Sequence, residues 1–188
     1  MAYGDRVIRR AVLGAYGAIA ITLGSVLAGC TPVVEGPGPA SSPQSSAVFS
    51  SSKQAAAAAK AVYEKYLRIG EVVSESGGND VDRFAPFLTK SALDAERKGA
   101  EELRRSKVRT FGMTELRKFQ LQRADLKSGR VEAYACIDLS DVKVEDEDGK
   151  DVTPASRPSL QTLKPTFVWS GGHLLLEENG TWSGSSIC

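Results

Sequence analysis

Between Val131 and Leu139 the chain alternates strictly. Val131, Ala133, Ala135, Ile137 and Leu139 fall on one side, and Glu132, Tyr134, Cys136 and Asp138 on the other. A side-chain period of two marks a half-buried β-strand. Upstream the period lengthens. Ala55–Ala59 is a strong helix-forming run, and Val62, Tyr66, Ile69 and Val73 recur at helical spacing, so a helix is predicted over Lys53–Val73 and ended by Gly77-Gly78. Asp80 opens a short helical turn through Phe84 and Phe87, its length limited by Pro86. Thr89 is placed to cap a further helix over Lys90–Arg104, with Leu93, Ala100 and Leu103 facing inward. Downstream, Leu116–Leu126 alternates loosely around Phe119 and Leu121, and Ser128-Gly129 signals a hairpin. Val142 and Val144 read as a continuation of the 131–139 strand, with a tight turn at Asp148-Gly149. Leu163–Trp169 and Leu174–Glu178 form a closing pair around Gly171-Gly172, and Thr181-Trp182 begins a tail. Helices first and antiparallel strands after predict an α+β domain over residues 53–188, with N-terminal helices packed on one face of a curved antiparallel sheet.

The beginning of the chain follows a different rule. Arg6, Arg9 and Arg10 make a short positive region, and Ala11 to Leu27 carries no charge. Leu27-Ala28-Gly29-Cys30 follows, with small residues directly before a cysteine. Residues 1–29 therefore read as a signal peptide. The four residues resemble the lipobox of bacterial lipoproteins. That resemblance implies cleavage before Cys30, a diacylglyceryl group on its thiol, and a protein held on the extracytoplasmic face of the cell membrane. Arg9-Arg10 faintly resembles a twin-arginine signal, but Ile8 stands where Ser or Thr is usual, which favours general secretion. As a membrane helix the apolar stretch would reach only about 26 Å, barely a span. Two acyl chains, by contrast, give a firm anchor. Thr31–Ser52 is dominated by Ser, Pro and Gly with Glu35 its only charge, so residues 30–52 are expected to be a disordered tether. Its root-mean-square reach would be roughly 25 Å.

Composition narrows the function classes modestly. Net charge is +1 over 188 residues, and removal of the signal segment leaves 21 basic and 22 acidic residues. No basic excess points to nucleic acid.

The run Cys136-Ile137-Asp138-Leu139-Ser140, then Asp146-Glu147-Asp148-Gly149, Val152, Pro154 and Arg157-Pro158, resembles a segment of actinobacterial lipoproteins of unknown role. Those proteins are similar to the nuclear-transport-factor-two-like cone fold, a three-helix lid over a bent sheet. The resemblance implies a fold and no activity.

Candidate chemistry is sparse. Cys136 and Cys188 are the only cysteines left after lipidation, and outside the membrane two cysteines usually pair, so a disulfide is expected. Asp141, Glu145, Asp146, Glu147, Asp148 and Asp151 lack the spacing of a calcium loop and read as a solvated hairpin tip. His173 is the only histidine and reads as an exposed turn residue. Tyr134 and Asp138, two residues of one strand face that also carries Cys136, are the best pocket-like pair. Arg104, Arg105, Lys107 and Arg109 form a basic cluster suited to a solvated face or to anionic lipid or wall polymer. No cofactor, metal site or catalytic constellation is implied. The expected protein is a non-catalytic interaction domain in the cell envelope, meeting an envelope protein or wall polymer. The alternatives are a small-ligand carrier or enzyme using the interior of the cone, and a mobile-element lipoprotein that modifies the host envelope.

Overall fold

The computed structural model describes residues 47–188. The signal segment, Cys30 and the tether as far as residue 46 lie outside the described residues. The elements run in the order α1 (Ser52–Glu75), a 3₁₀ turn (Val81–Phe84), α2 (Lys90–Ser106), β1 (Arg109–Phe111), β2 (Glu115–Asp125), β3 (Arg130–Asp138), β4 (Lys143–Glu145), β5 (Leu160–Ser170) and β6 (His173–Thr181). This is an α+β domain, as the periodicity implies. Its main sheet is antiparallel, ordered β2-β3-β5-β6, and β1 pairs with β4 in a separate two-stranded ribbon.

Both long helices start where a hydroxyl can satisfy a free backbone donor. The Ser51 side chain accepts from the Gln54 N–H, and that of Thr89 from the Ala92 N–H. The buried line of α1 is Ala55, Ala59, Tyr63, Leu67 and Val73. It is rotated from the expected stripe, and Val62, Tyr66 and Ile69 flank the core instead of centring it. Alanines at 55 and 59 let the helix lie close to the sheet, which moves the seam toward them. On α2, Leu93 and Ala100 are buried as expected.

Two sequence expectations need correction. First, the tether does not extend to Ser52. Phe49 is 3% exposed and belongs to the core, its N–H donates to the Leu126 carbonyl, and its ring meets Trp169 edge-on at 5.7 Å. A single aromatic side chain found enough apolar surface to order a polar segment. Second, Val142 and Val144 do not continue β3. The Asp138 carboxylate accepts from both the backbone N–H and the hydroxyl of Ser140, at 2.8 and 2.6 Å. These local bonds replace ladder bonds and end the strand. Val144 pairs with Thr110 of β1 instead.

Within β3, Val131, Ala133, Ala135 and Ile137 are buried as expected, but Cys136 and Asp138 of the opposite face are buried too, so burial alternates only as far as Ala135. Phe167 of β5 is fully buried, with the rings of Tyr63 and Phe119 both 6.4 Å from its own. The β3–β5 pairing passes from Glu132↔Thr166 to Ala135↔Leu163 and skips the segment that contains Pro165, which has no N–H to give. The register shifts twice along β2, and once in the β5–β6 pairing, where Glu177 of β6 is the extra residue; extra residues of this kind bend a strand locally. At the β2–β3 turn, Gly129 has φ +74°, and a Cβ there would lie 2.5 Å from Cβ of Trp169. Only glycine fits that approach.

Candidate functional site

The side of the sheet facing the helices holds the main convergence of polar groups on an apolar wall. A cleft of about 310 Å³ opens between α1, α2 and the sheet. Leu67, Val73, Phe84, Ala100, Ile137 and Leu163 supply its apolar lining. Three elements send polar side chains into it. The Tyr66 hydroxyl, from α1, donates to Oε1 of Glu96 on α2 at 2.8 Å. Nδ2 of Asn179, from β6, donates to the Tyr66 oxygen at 3.4 Å, and Oδ1 of Asn179 accepts from the Tyr63 hydroxyl at 3.2 Å. The two tyrosine rings are stacked, 5.8 Å apart. The chain therefore runs Tyr63, Asn179, Tyr66, Glu96, and ends on a carboxylate.

Burial sets the electrostatics. Loss of water pushes both tyrosine hydroxyls up, away from ionisation, and the nearby Glu96 charge adds to the effect at Tyr66. Burial also raises the Glu96 carboxyl, opposed by the Tyr66 hydrogen bond. Hydroxyls held in this way are fixed hydrogen-bond donors, not phenolate bases. Sequence reasoning missed this site. Tyr66 counted as one apolar position among several, and Glu96 looked like any exposed acid on an amphipathic helix. Only a tyrosine pair on a helix face hinted that the stripe carried polar ends.

The residues that sequence reasoning singled out lie elsewhere. Cys136 and Cys188 are joined, with Cα atoms 5.2 Å apart, so the C-terminus returns to the middle of β3. They sit on the sheet face turned away from the helices. Tyr134 and Asp138 share that face, and the idea of a pocket pair is corrected. The Tyr134 ring packs on Trp182 of the tail with centroids 4.9 Å apart. The Asp138 carboxylate is taken by Ser140 and by the Arg117 guanidinium, at 2.8 and 3.0 Å. The tail pinned by Cys188 covers the face that a ligand would need.

Those partners hold the Asp138 carboxyl at about 2, the Ser140 hydroxyl and N–H first and the Arg117 guanidinium next. A carboxyl whose folded value is depressed stabilises the fold above its unfolded value near 4, and the contribution fades as pH falls toward 2. Asp138→Asn is accordingly expected to lower the melting temperature at pH 7 and to match the unsubstituted protein near pH 2. Thermal melts of both across pH 2–7 check this, and a gap that persists undiminished at pH 2 would contradict it.

The acidic run is a hairpin tip. Asp146 accepts from the N–H groups of Asp148 and Lys150, and Gly149 turns the chain at φ +75°. Across from it the basic cluster is partly neutralised. Lys107 pairs with Glu147 at 2.8 Å, and Arg104 and Arg105 pair with Glu101. His173 is exposed, its Nδ1 3.1 Å from the Gly171 carbonyl. Among the described residues no cluster of metal-ligating side chains occurs, and no helix is long and apolar enough to cross a membrane.

No family model matches the chain, and no curated protein matches it. Among solved structures, it is similar to the intermembrane space region of the chloroplast protein ARC6. The two share 15% identity with a TM-score of 0.51, over 69% of this chain and 97% of that one. At that identity the likeness shows the fold alone. A de novo designed β-sheet protein aligns at 14% identity over 69% of this chain and 86% of its own, with a TM-score of 0.34 that carries no argument.

Proposed function

We propose that this chain is an extracytoplasmic lipoprotein, held on the membrane through a diacylglyceryl group on Cys30, whose domain acts by binding and not by catalysis. The observation that carries the reading is the Cys136–Cys188 bond. Such bonds persist in oxidising compartments, where the 1–29 export pattern would deliver the protein. Two helices packed with a four-stranded antiparallel sheet are compatible with the cone-like relatives that the sequence resembles. Export and anchoring are tested together. Cells expressing the chain are labelled with fatty acid and fractionated. The label and membrane attachment are expected in the unsubstituted protein and absent from Cys30→Ala. Normal acyl labelling of that variant overturns the anchor.

A second reading concerns what the domain binds. The cleft between helices and sheet favours a small ligand over a purely protein-facing role. Binding sites for small molecules pair an apolar wall with a few fixed polar groups. The Tyr63–Asn179–Tyr66–Glu96 chain on its apolar lining supplies that combination.

A further inference from the structure

On the small-ligand reading, Glu96 defines the chemistry of the ligand. Two of the other three acids of α2 illustrate the contrast, and the third, Glu102, is unpaired but exposed to water. Asp94 is paired with Lys90 and Arg97, and Glu101 with Arg104 and Arg105. Arg97, the cation next to Glu96 in sequence, is also engaged by Asp82 at 2.7 Å. Glu96 is half-buried and, among the described residues, has no lysine or arginine within ion-pair distance. Its one partner is the neutral Tyr66 hydroxyl on Oε1, so Oε2 is left for something else. A partly buried carboxylate is normally paired, because leaving its charge without a counter-charge is costly. The walls beside it are apolar, and the Tyr66 and Phe84 rings lie 5.2 Å apart on the same lining. Aromatic faces attract cations, and an apolar wall attracts a hydrocarbon body.

We infer that the cleft takes a small amphiphile with an ammonium head, its charge on Glu96 and its apolar body against Leu67, Val73 and Leu163. The missing counter-charge of the protein is then supplied by the ligand. A carboxylate-headed amphiphile is disfavoured by like charge, and a neutral alcohol keeps only the apolar contribution. The cleft volume of about 310 Å³ suits a body of a few carbons.

The test uses the whole chain in nanodiscs with labelled Leu, Val and Ile methyl groups, and empty nanodiscs correct for partitioning. Hexylammonium, 1-hexanol and hexanoate are titrated separately. Hexylammonium and hexanol are expected to shift the methyl signals of Leu67, Val73 and Leu163. Hexylammonium should bind at least tenfold tighter than hexanol, with hexanoate weakest. In Glu96→Gln, whose dispersed methyl spectrum serves as the check on folding, the preference for hexylammonium should disappear. If hexanol shifts the cleft methyls but hexylammonium binds no tighter, or if Glu96→Gln keeps the preference, the ammonium assignment is overturned while the small-ligand reading stands. If none of the three probes shifts those methyls, the small-ligand reading falls and the assignment falls with it.

Discussion

Reduction of the Cys136–Cys188 bond is expected to lower the melting temperature by roughly 10–15 °C. The bond closes a loop with a sequence separation of 52. Closing a loop of that size removes freedom from the unfolded chain worth about 4 kcal/mol in the chain-entropy model, and that figure tends to be an upper one. In a domain of this size each kcal/mol moves the midpoint by roughly 3 °C. The folded state loses something as well. Cys188 lies beyond β6 in a segment that belongs to no helix or strand, and such segments fray unless they are held. The tail it pins carries Trp182, whose ring packs on Tyr134, whose backbone N–H donates to the Thr162 carbonyl, and whose indole N–H donates to the Ser185 carbonyl. Release of Cys188 leaves that cover to weak contacts, so Trp182 should become more exposed than the remaining stability alone implies. Melts with and without reductant, followed by tryptophan fluorescence, read both effects. Cys136→Ser should reproduce the loss and then be insensitive to reductant. A midpoint unchanged by reductant, with Cys136 and Cys188 counted as free thiols by mass, would remove the bond from the description of the protein.

Phe49→Ala should cost about 3 kcal/mol, or roughly 10 °C, although it lies in a segment that composition assigns to a tether. Removal of a buried phenylalanine ring costs that much because the transfer energy is lost and the surroundings close only in part. Phe49 is 3% exposed and stands edge-on to Trp169. Its backbone also ties the start of the domain to the end of β2 through the Leu126 carbonyl at 3.1 Å. The ring thus locks the entry to α1 onto the β2–β3 turn, where Gly129 lets Trp169 come close. Comparison of Phe49→Ala with Phe49→Leu separates ring geometry from plain burial, and the leucine variant should recover most of the loss. A shift under about 1 °C for the alanine variant would place the domain boundary at Ser52 after all.

Several parts of this protein were readable along one dimension. The period-two pattern of Val131 to Ala135 and the Thr89 cap depend on neighbours within a few residues. So do the glycine turns at 129, 149 and 171–172. Local sterics and hydrogen bonding decide these features wherever the chain later packs, and the structure agrees with each. The disulfide was also legible, because the expectation of export with Cys30 lipidated left Cys136 and Cys188 only each other.

Other features required three dimensions. Whether Val144 extends β3 or crosses to β1 depended on a carboxylate choosing Ser140 and Arg117, and an exposed acid and a strand-ending acid look alike in sequence. Phe49 reads as tether until Trp169 and Leu126, far along the chain, arrive beside it. Tyr134 and Asp138 looked like a pocket pair because alternation names the face of a side chain and says nothing of what covers that face. The tail settled it, held by Cys188. Glu96, Tyr66 and Asn179 come from α2, α1 and β6, and nothing in their spacing relates them. The sequence by itself determined the elements, their order and the crosslink, because those rest on local periodicity and simple pairing. The tertiary structure alone decided where the polar chain converges and that Glu96 enters the cleft without a cation beside it, because burial and hydrogen-bond partners exist only once distant segments meet.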